Sequence, residues 1–195
     1  MQRNEYTVSV KRSGAMTLAT EPSELTMYMS PYLTEFERRF LVDNMVVKSI
    51  EFSGVGNSQI FCRCMIHDLS RPSENQALPS SVSRGLETVL LVHAFHKMTT
   101  SWTWIKFATT LYRAGFNVIL MDLPGFGRSS VGRDIRCPVD SWRSWEVQIF
   151  TTFLAEMNIA RVNFVGCYES ASIFLSVLLN APQVLSRNHY LHNVC

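Results

Sequence analysis

Long hydrophobic runs are missing from this 195-residue chain. Its apolar stretches have the length of a strand or a short helix, and none approaches the roughly 20 residues that a membrane span needs. Charge is also scarce, at 17% of residues, and nearly balanced, with 18 Lys and Arg against 16 Asp and Glu. A net charge of +2 with dispersed arginines excludes the basic face of a nucleic-acid binder. There is no N-x-S/T sequon, and the five cysteines (62, 64, 137, 167 and 195) form an odd set. Neither suits a disulfide-stapled secreted domain, so both point to a reducing, cytoplasmic setting. The N-terminus "MQRNEYTVSVKRSGAMTLAT" lacks the apolar core of a secretory signal. Its basic and hydroxyl residues leave a mitochondrial presequence as the alternative, with Glu5 counting against it. No internal repeat is visible.

What is present is a globular composition, 47% hydrophobic, in a length that suits one domain with a substantial core. Residues 1–30 read as a flexible leader without periodicity, and residues 31–195 as the domain. Ser30 as N-cap and Pro31 at the first helical position predict a helix whose Leu33, Phe36, Phe40 and Leu41 share a face. "MVVKSIEFSG" and "SQIFCRCMIHDL" read as strands joined at Gly54, Gly56 and Asn57, an N-terminal hairpin. Residues 70–85 are a polar Ser/Pro loop. "TVLLVHAF" and "NVILMDL" are continuous apolar runs, expected of strands buried on both faces. Between them, "TTSWTWIKFATTLYRAGF" predicts a helix closed by Gly115. A helix over "PVDSWRSWEVQIFTTFLAEMN", a strand over "ARVNFVG" and a helix over "ESASIFLSVLLN" follow. Such alternation predicts an α/β fold, a mostly parallel sheet flanked by helices.

Four features in order carry a resemblance. "VLLVHAF" ends in His93; "DLPGFGRSS" forms the next strand's exit; a long helix intervenes; then "NFVGCYES" runs strand into helix at a tight corner. From about Val46 to Pro182 the chain resembles the N-terminal half of the α/β-hydrolase fold, most specifically over Leu90 to Ser130. The resemblance implies a partial, truncated α/β-hydrolase fold in the strand order 1-2-4-3-5. It also implies a nucleophile elbow, G-x-S-x-G, at the corner. Gly166 and Ser170 take the two small positions there, Cys167 and Glu169 the variable ones, and Tyr168 the place of the serine.

That exchange bears on chemistry. A phenol is scarcely ionised at neutral pH, so it needs a general base within hydrogen-bond reach. The ring is expected to fill the space an acyl group would use. Cys167, one residue earlier on an extended strand, points to the other face. The oxyanion donors implied by the resemblance are the N–H groups of Phe95 and Glu169. There His93-Ala94 replaces the family's His-Gly, and Glu169 sets a carboxylate beside the developing charge. The late histidines, His189 and His192, fall too early in the topology for the triad base. The expectation is therefore a non-catalytic binding or interaction module with no complete triad. The alternative is an esterase-like hydrolase whose second half is not in this chain.

Other constellations read as structural. His93 and His96 form an HxxH at a strand exit, and Cys62, Cys64 and His67 lack a fourth ligand, so no metal and no cofactor is expected. Arg128, Arg133, Arg136 and Arg143 read as a solvated loop rather than an anion site, and Trp102, Trp104, Trp142 and Trp145 as helix-to-sheet packing. The strand carrying Val162, Phe164 and Val165 is apolar on both faces. Its edge is the expected surface for self-association or a protein partner, with an apolar small molecule as another candidate ligand.

Overall fold

The computed structural model describes residues 17–18, 33–52, 58–67, 86–131, 142–159 and 162–180. The proposed Ser30–Pro31 helix start, the 70–85 loop and the late histidines lie outside them. Two hydrophobic clusters on opposite faces of one sheet form the core, because buried strands with apolar residues at successive positions supply both faces at once.

The first helix among the described residues, α1 (Glu35–Asn44), starts later than Ser30 and Pro31 suggested. Thr34 is its N-cap: the hydroxyl accepts from the Glu37 N–H, and the Glu37 carboxylate accepts from the Thr34 N–H at 2.7 Å. This capping box satisfies two otherwise orphaned donors. Leu33 and Leu41 are buried as expected, but Phe36 is exposed, with the Arg113 guanidinium 5.2 Å from its ring centre.

The sheet has six strands. β1 (Thr17–Leu18) pairs antiparallel with β2 (Val46–Phe52), in a stretch whose sequence carries no periodicity. β2 and β3 (Ser58–Met65) form the expected antiparallel hairpin, in register from Val46 opposite Cys64 to Phe52 opposite Ser58. β4 (Thr88–Val92) and β5 (Asn117–Met121) are wholly buried. β6 (Asn163–Gly166) completes the order β1-β2-β3-β5-β4-β6. Counted from β2 this is 1-2-4-3-5, the order the resemblance implied. Parallel pairing joins β5, β4 and β6, while the hairpin makes β1 to β3, and the β3–β5 junction, antiparallel; the sheet is mixed.

Between β4 and β5 the expected helix divides. A 3-10 turn (Ser101–Trp104), capped by the Thr100 hydroxyl on the Trp102 N–H, leads into α2 (Ile105–Arg113). Gly115, at φ +95°, closes it in the left-handed conformation. α3 (Trp142–Glu156) and α4 (Glu169–Asn180) pack on the other face, where Phe150, Phe164 and Phe174 meet. No helix among the described residues is long and apolar enough to cross a membrane.

Candidate functional site

Three loops leave the C-terminal ends of the parallel strands β4, β5 and β6, the place where open α/β sheets bind ligands. The β5 exit is built around Asp122, which is fully buried. One carboxylate oxygen accepts from the Ser101 N–H at 2.7 Å, anchoring the start of the 3-10 turn. The other accepts from the Arg128 N–H at 3.1 Å, closing the loop on itself. Gly127 passes so close, at φ +56°, that a Cβ there would overlap this carboxylate, so the loop needs glycine at that point. Ser129 ties the loop to β3, donating to the Asp122 carbonyl at 2.6 Å and accepting from the Phe61 N–H at 2.8 Å. The motif "DLPGFGRSS" thus specifies a loop locked to two neighbouring elements.

A residue that sequence reasoning missed completes this knot. Arg63 of β3 is buried and reaches Asp122 with Nη1 at 3.3 Å, and it also donates to the Ser101 hydroxyl. Its guanidinium lies 4.4 Å from the Trp102 ring centre and 4.7 Å from that of Phe61. The signal was present: an arginine between two cysteines in the apolar half of β3 needs a buried acid, and Asp122 directly follows the strand paired with it.

At the β6 exit the corner has the geometry of a nucleophile elbow. Tyr168 is held at φ +53°, a left-handed conformation that costs a bulky L-residue about 1–2 kcal/mol. Two small residues hold it there. A Cβ on Gly166 would sit 2.6 Å from both the Phe164 ring and the Ser170 hydroxyl, so strand and helix can approach only with glycine. Ser170, fully buried, accepts from the Cys167 N–H at 2.8 Å and donates to the Cys167 carbonyl at 2.8 Å, pinning the turn. The steric rule behind G-x-S-x-G is met, and the second small position also supplies hydrogen bonds.

Tyr168 itself does not fill a pocket, contrary to the expectation above. It is 66% exposed, because the left-handed corner projects its side chain away from the sheet. Glu169 beside it is exposed and begins α4. Phe95, the other implied oxyanion residue, is half-buried with its ring 5.3 Å from that of Phe126.

His93 is engaged in structure. Its Nε2 lies 3.0 Å from the Leu123 N–H and its Nδ1 2.8 Å from the Ala94 carbonyl. An N–H only donates and a carbonyl only accepts, so the ring carries its proton on Nδ1 and is neutral. Burial holds its pKa below the ordinary imidazole value, against the Ala94 carbonyl and the Asp122 charge, which pull it upward. His96 is exposed, and its Nδ1 accepts from the Met98 N–H at 3.3 Å. His67, past the end of β3, stacks on Tyr112 with ring centres 4.0 Å apart. Cys62 and Cys64 are buried with their sulfurs 3.8 Å apart. The hydrogen bond between them, then burial, pushes the Cys62 thiol well above its usual range. Among the described residues no three His, Cys, Asp or Glu side chains cluster as metal ligands.

Trp102 and Trp104 pack on one core cluster and Trp145 lies in the other, whereas the Arg128 guanidinium lies 4.3 Å from the Phe61 ring centre. Arg133, Arg136, His189 and His192 lie outside the described residues.

Comparison with known proteins agrees with this geometry. Residues 87–167 match the family model of the alpha/beta hydrolase fold. A 2-hydroxy-6-oxononadienedioate/2-hydroxy-6-oxononatrienedioate hydrolase of Escherichia coli O81 (strain ED1a) is 28% identical over 101 residues, 51% of this chain and 34% of its own length. Epoxide hydrolase VrEH1 from Vigna radiata superposes with a TM-score of 0.54 at 14% identity, over 73% of this chain and 38% of that one. A CIB-like hydrolase from Thermoplasma acidophilum does so with a TM-score of 0.50 at 21% identity, over 72% and 60%. The chain thus spans about a third of the curated relative it matches. Through residues 87–167, with the strand order around them, it carries the N-terminal portion of the alpha/beta hydrolase fold.

Proposed function

We propose that this protein is a non-catalytic α/β-hydrolase-like binding module. The observation that carries this reading is the elbow, whose strained backbone is retained while the side chain it presents is an exposed phenol. A nucleophile at this corner needs a base within hydrogen-bond reach. Among the described residues the three histidines, His67, His93 and His96, are each engaged by other groups. The surface offered to a partner chain is the edge of β6, which among the described residues pairs with β4 alone. Such an apolar edge favours strand addition.

A second reading is favoured by one observation, that the chain spans only 34% of the hydrolase it matches. In that reading Tyr168 is a nucleophile completed by groups outside these residues. Hydrolysis of p-nitrophenyl esters separates the two. The binding reading expects equal background rates from the wild type, Tyr168→Phe and Tyr168→Ser. Turnover that is lost in Tyr168→Phe overturns it in favour of the second.

A further inference from the structure

His93 joins two of the three loops at the candidate site. On the β4 side its Nδ1–H donates to the Ala94 carbonyl, with the Thr99 hydroxyl 3.4 Å away. On the β5 side its Nε2 accepts from the Leu123 N–H, and its ring meets that of Phe126 edge-on at 5.3 Å. Phe126 in turn packs edge-on against Phe95 of the β4 exit. The imidazole is therefore the polar pin inside an aromatic contact that holds the loops together, and it is almost fully buried.

This arrangement tolerates one protonation state. A proton added to Nε2 would set two N–H groups against each other, leaving Leu123 without its acceptor and a charge in an apolar surround. We infer that His93 is an acid-sensitive clamp, whose protonation at Nε2 releases the Leu123 N–H and parts the β4-exit and β5-exit loops at the Phe95–Phe126 contact.

The charges around the ring agree. Among the described residues Asp122 is the charged group that favours its protonation, and that carboxylate is already engaged by Arg63 and two backbone N–H groups. Cys167, Tyr168 and Glu169 are the titratable groups of the adjoining elbow. Burial outweighs Asp122, so the folded ring titrates below the reference value of 6.5. The sign follows: between the folded value and 6.5 the open form binds more protons. The clamp is intact above about pH 6.5 and is lost as pH falls through the folded value. The inference concerns regulation of the loops and not the chemistry of Tyr168, so its failure would leave the binding reading untouched.

The test is amide hydrogen exchange with imidazole nitrogen NMR shifts on the whole protein from about pH 7.5 down to the onset of acid unfolding. The nitrogen shifts should report the Nδ1–H tautomer at neutral pH. Leu123 should lose at least tenfold protection as His93 titrates, while far-UV circular dichroism stays constant. His93→Gln, whose amide oxygen can accept from Leu123, should remove that pH dependence. If the variant does not fold, co-titration of the Leu123 amide and the His93 nitrogens in the wild type decides. A His93 that titrates above 6.5, or a Leu123 amide indifferent to its titration, overturns the clamp.

Discussion

Replacing Asp122 with asparagine isolates the electrostatic part of the loop knot at almost constant shape. The carboxylate is fully buried and receives three donors: the Ser101 N–H at 2.7 Å, the Arg128 N–H at 3.1 Å and Arg63 Nη1 at 3.3 Å. At that last distance and an effective dielectric constant of about 20, the Coulomb attraction is about 5 kcal/mol. Withdrawing both ions from water costs several kcal/mol each, so the pair as a whole contributes little net stability. Removing one partner is different. Asp122→Asn keeps the amide oxygen for Ser101 but turns an NH₂ toward the other two donors, and it leaves the Arg63 guanidinium without its carboxylate. The expected loss is about 3–5 kcal/mol, a large share of the roughly 5–15 kcal/mol of a typical domain. Urea unfolding followed by tryptophan fluorescence reads it as a lower midpoint at unchanged slope. Combining it with Arg63→Met should cost less than the two single changes added together, since each removes the other's partner. A loss below about 1 kcal/mol for Asp122→Asn, or strict additivity in the double variant, would refute the reasoning.

Two further expectations rest on single residues. Tyr168→Gly should raise stability by about 1 kcal/mol by releasing the left-handed strain, whereas Tyr168→Ala, which keeps the Cβ, should not; denaturant midpoints of the two variants compare directly. Cys62 and Cys64 should resist a thiol reagent until the protein unfolds, while the half-buried Cys167 reacts in the native state. The raised Cys62 value adds a pH sign: its contribution is present below the reference value of 9.0 and is lost as pH climbs through the folded value, so midpoints should fall at strongly alkaline pH.

The sheet could be read in advance because β4 and β5 are apolar at nearly every position, which only a strand covered on both faces tolerates. The tight corner after β6 could be read because its sterics reside in two small residues a fixed distance apart, Gly166 and Ser170. What escaped is long-range or competitive. Arg63 meets Asp122 across 59 residues, a contact that exists only once β3 pairs with β5. The start of α1 is fixed by the reciprocal hydrogen bonds of the Thr34–Glu37 box, a signal the Ser30–Pro31 reading passed over. Tyr168 was expected to occupy a pocket because aromatic rings usually bury, but a left-handed corner directs its side chain outward. His93 was recognised as part of the oxyanion loop, yet its role as a pin depends on Leu123, thirty residues away.

The central proposal is that this fold presents a nucleophile elbow with no activated nucleophile on it. Fluorophosphonate labelling followed by intact-protein and peptide mass spectrometry tests it most directly, because the probe reacts with an activated hydroxyl whatever the natural ligand. The account predicts no adduct at Tyr168 or at any serine beyond the level of the heat-denatured protein. A stoichiometric adduct at Tyr168 that disappears in Tyr168→Phe would contradict it.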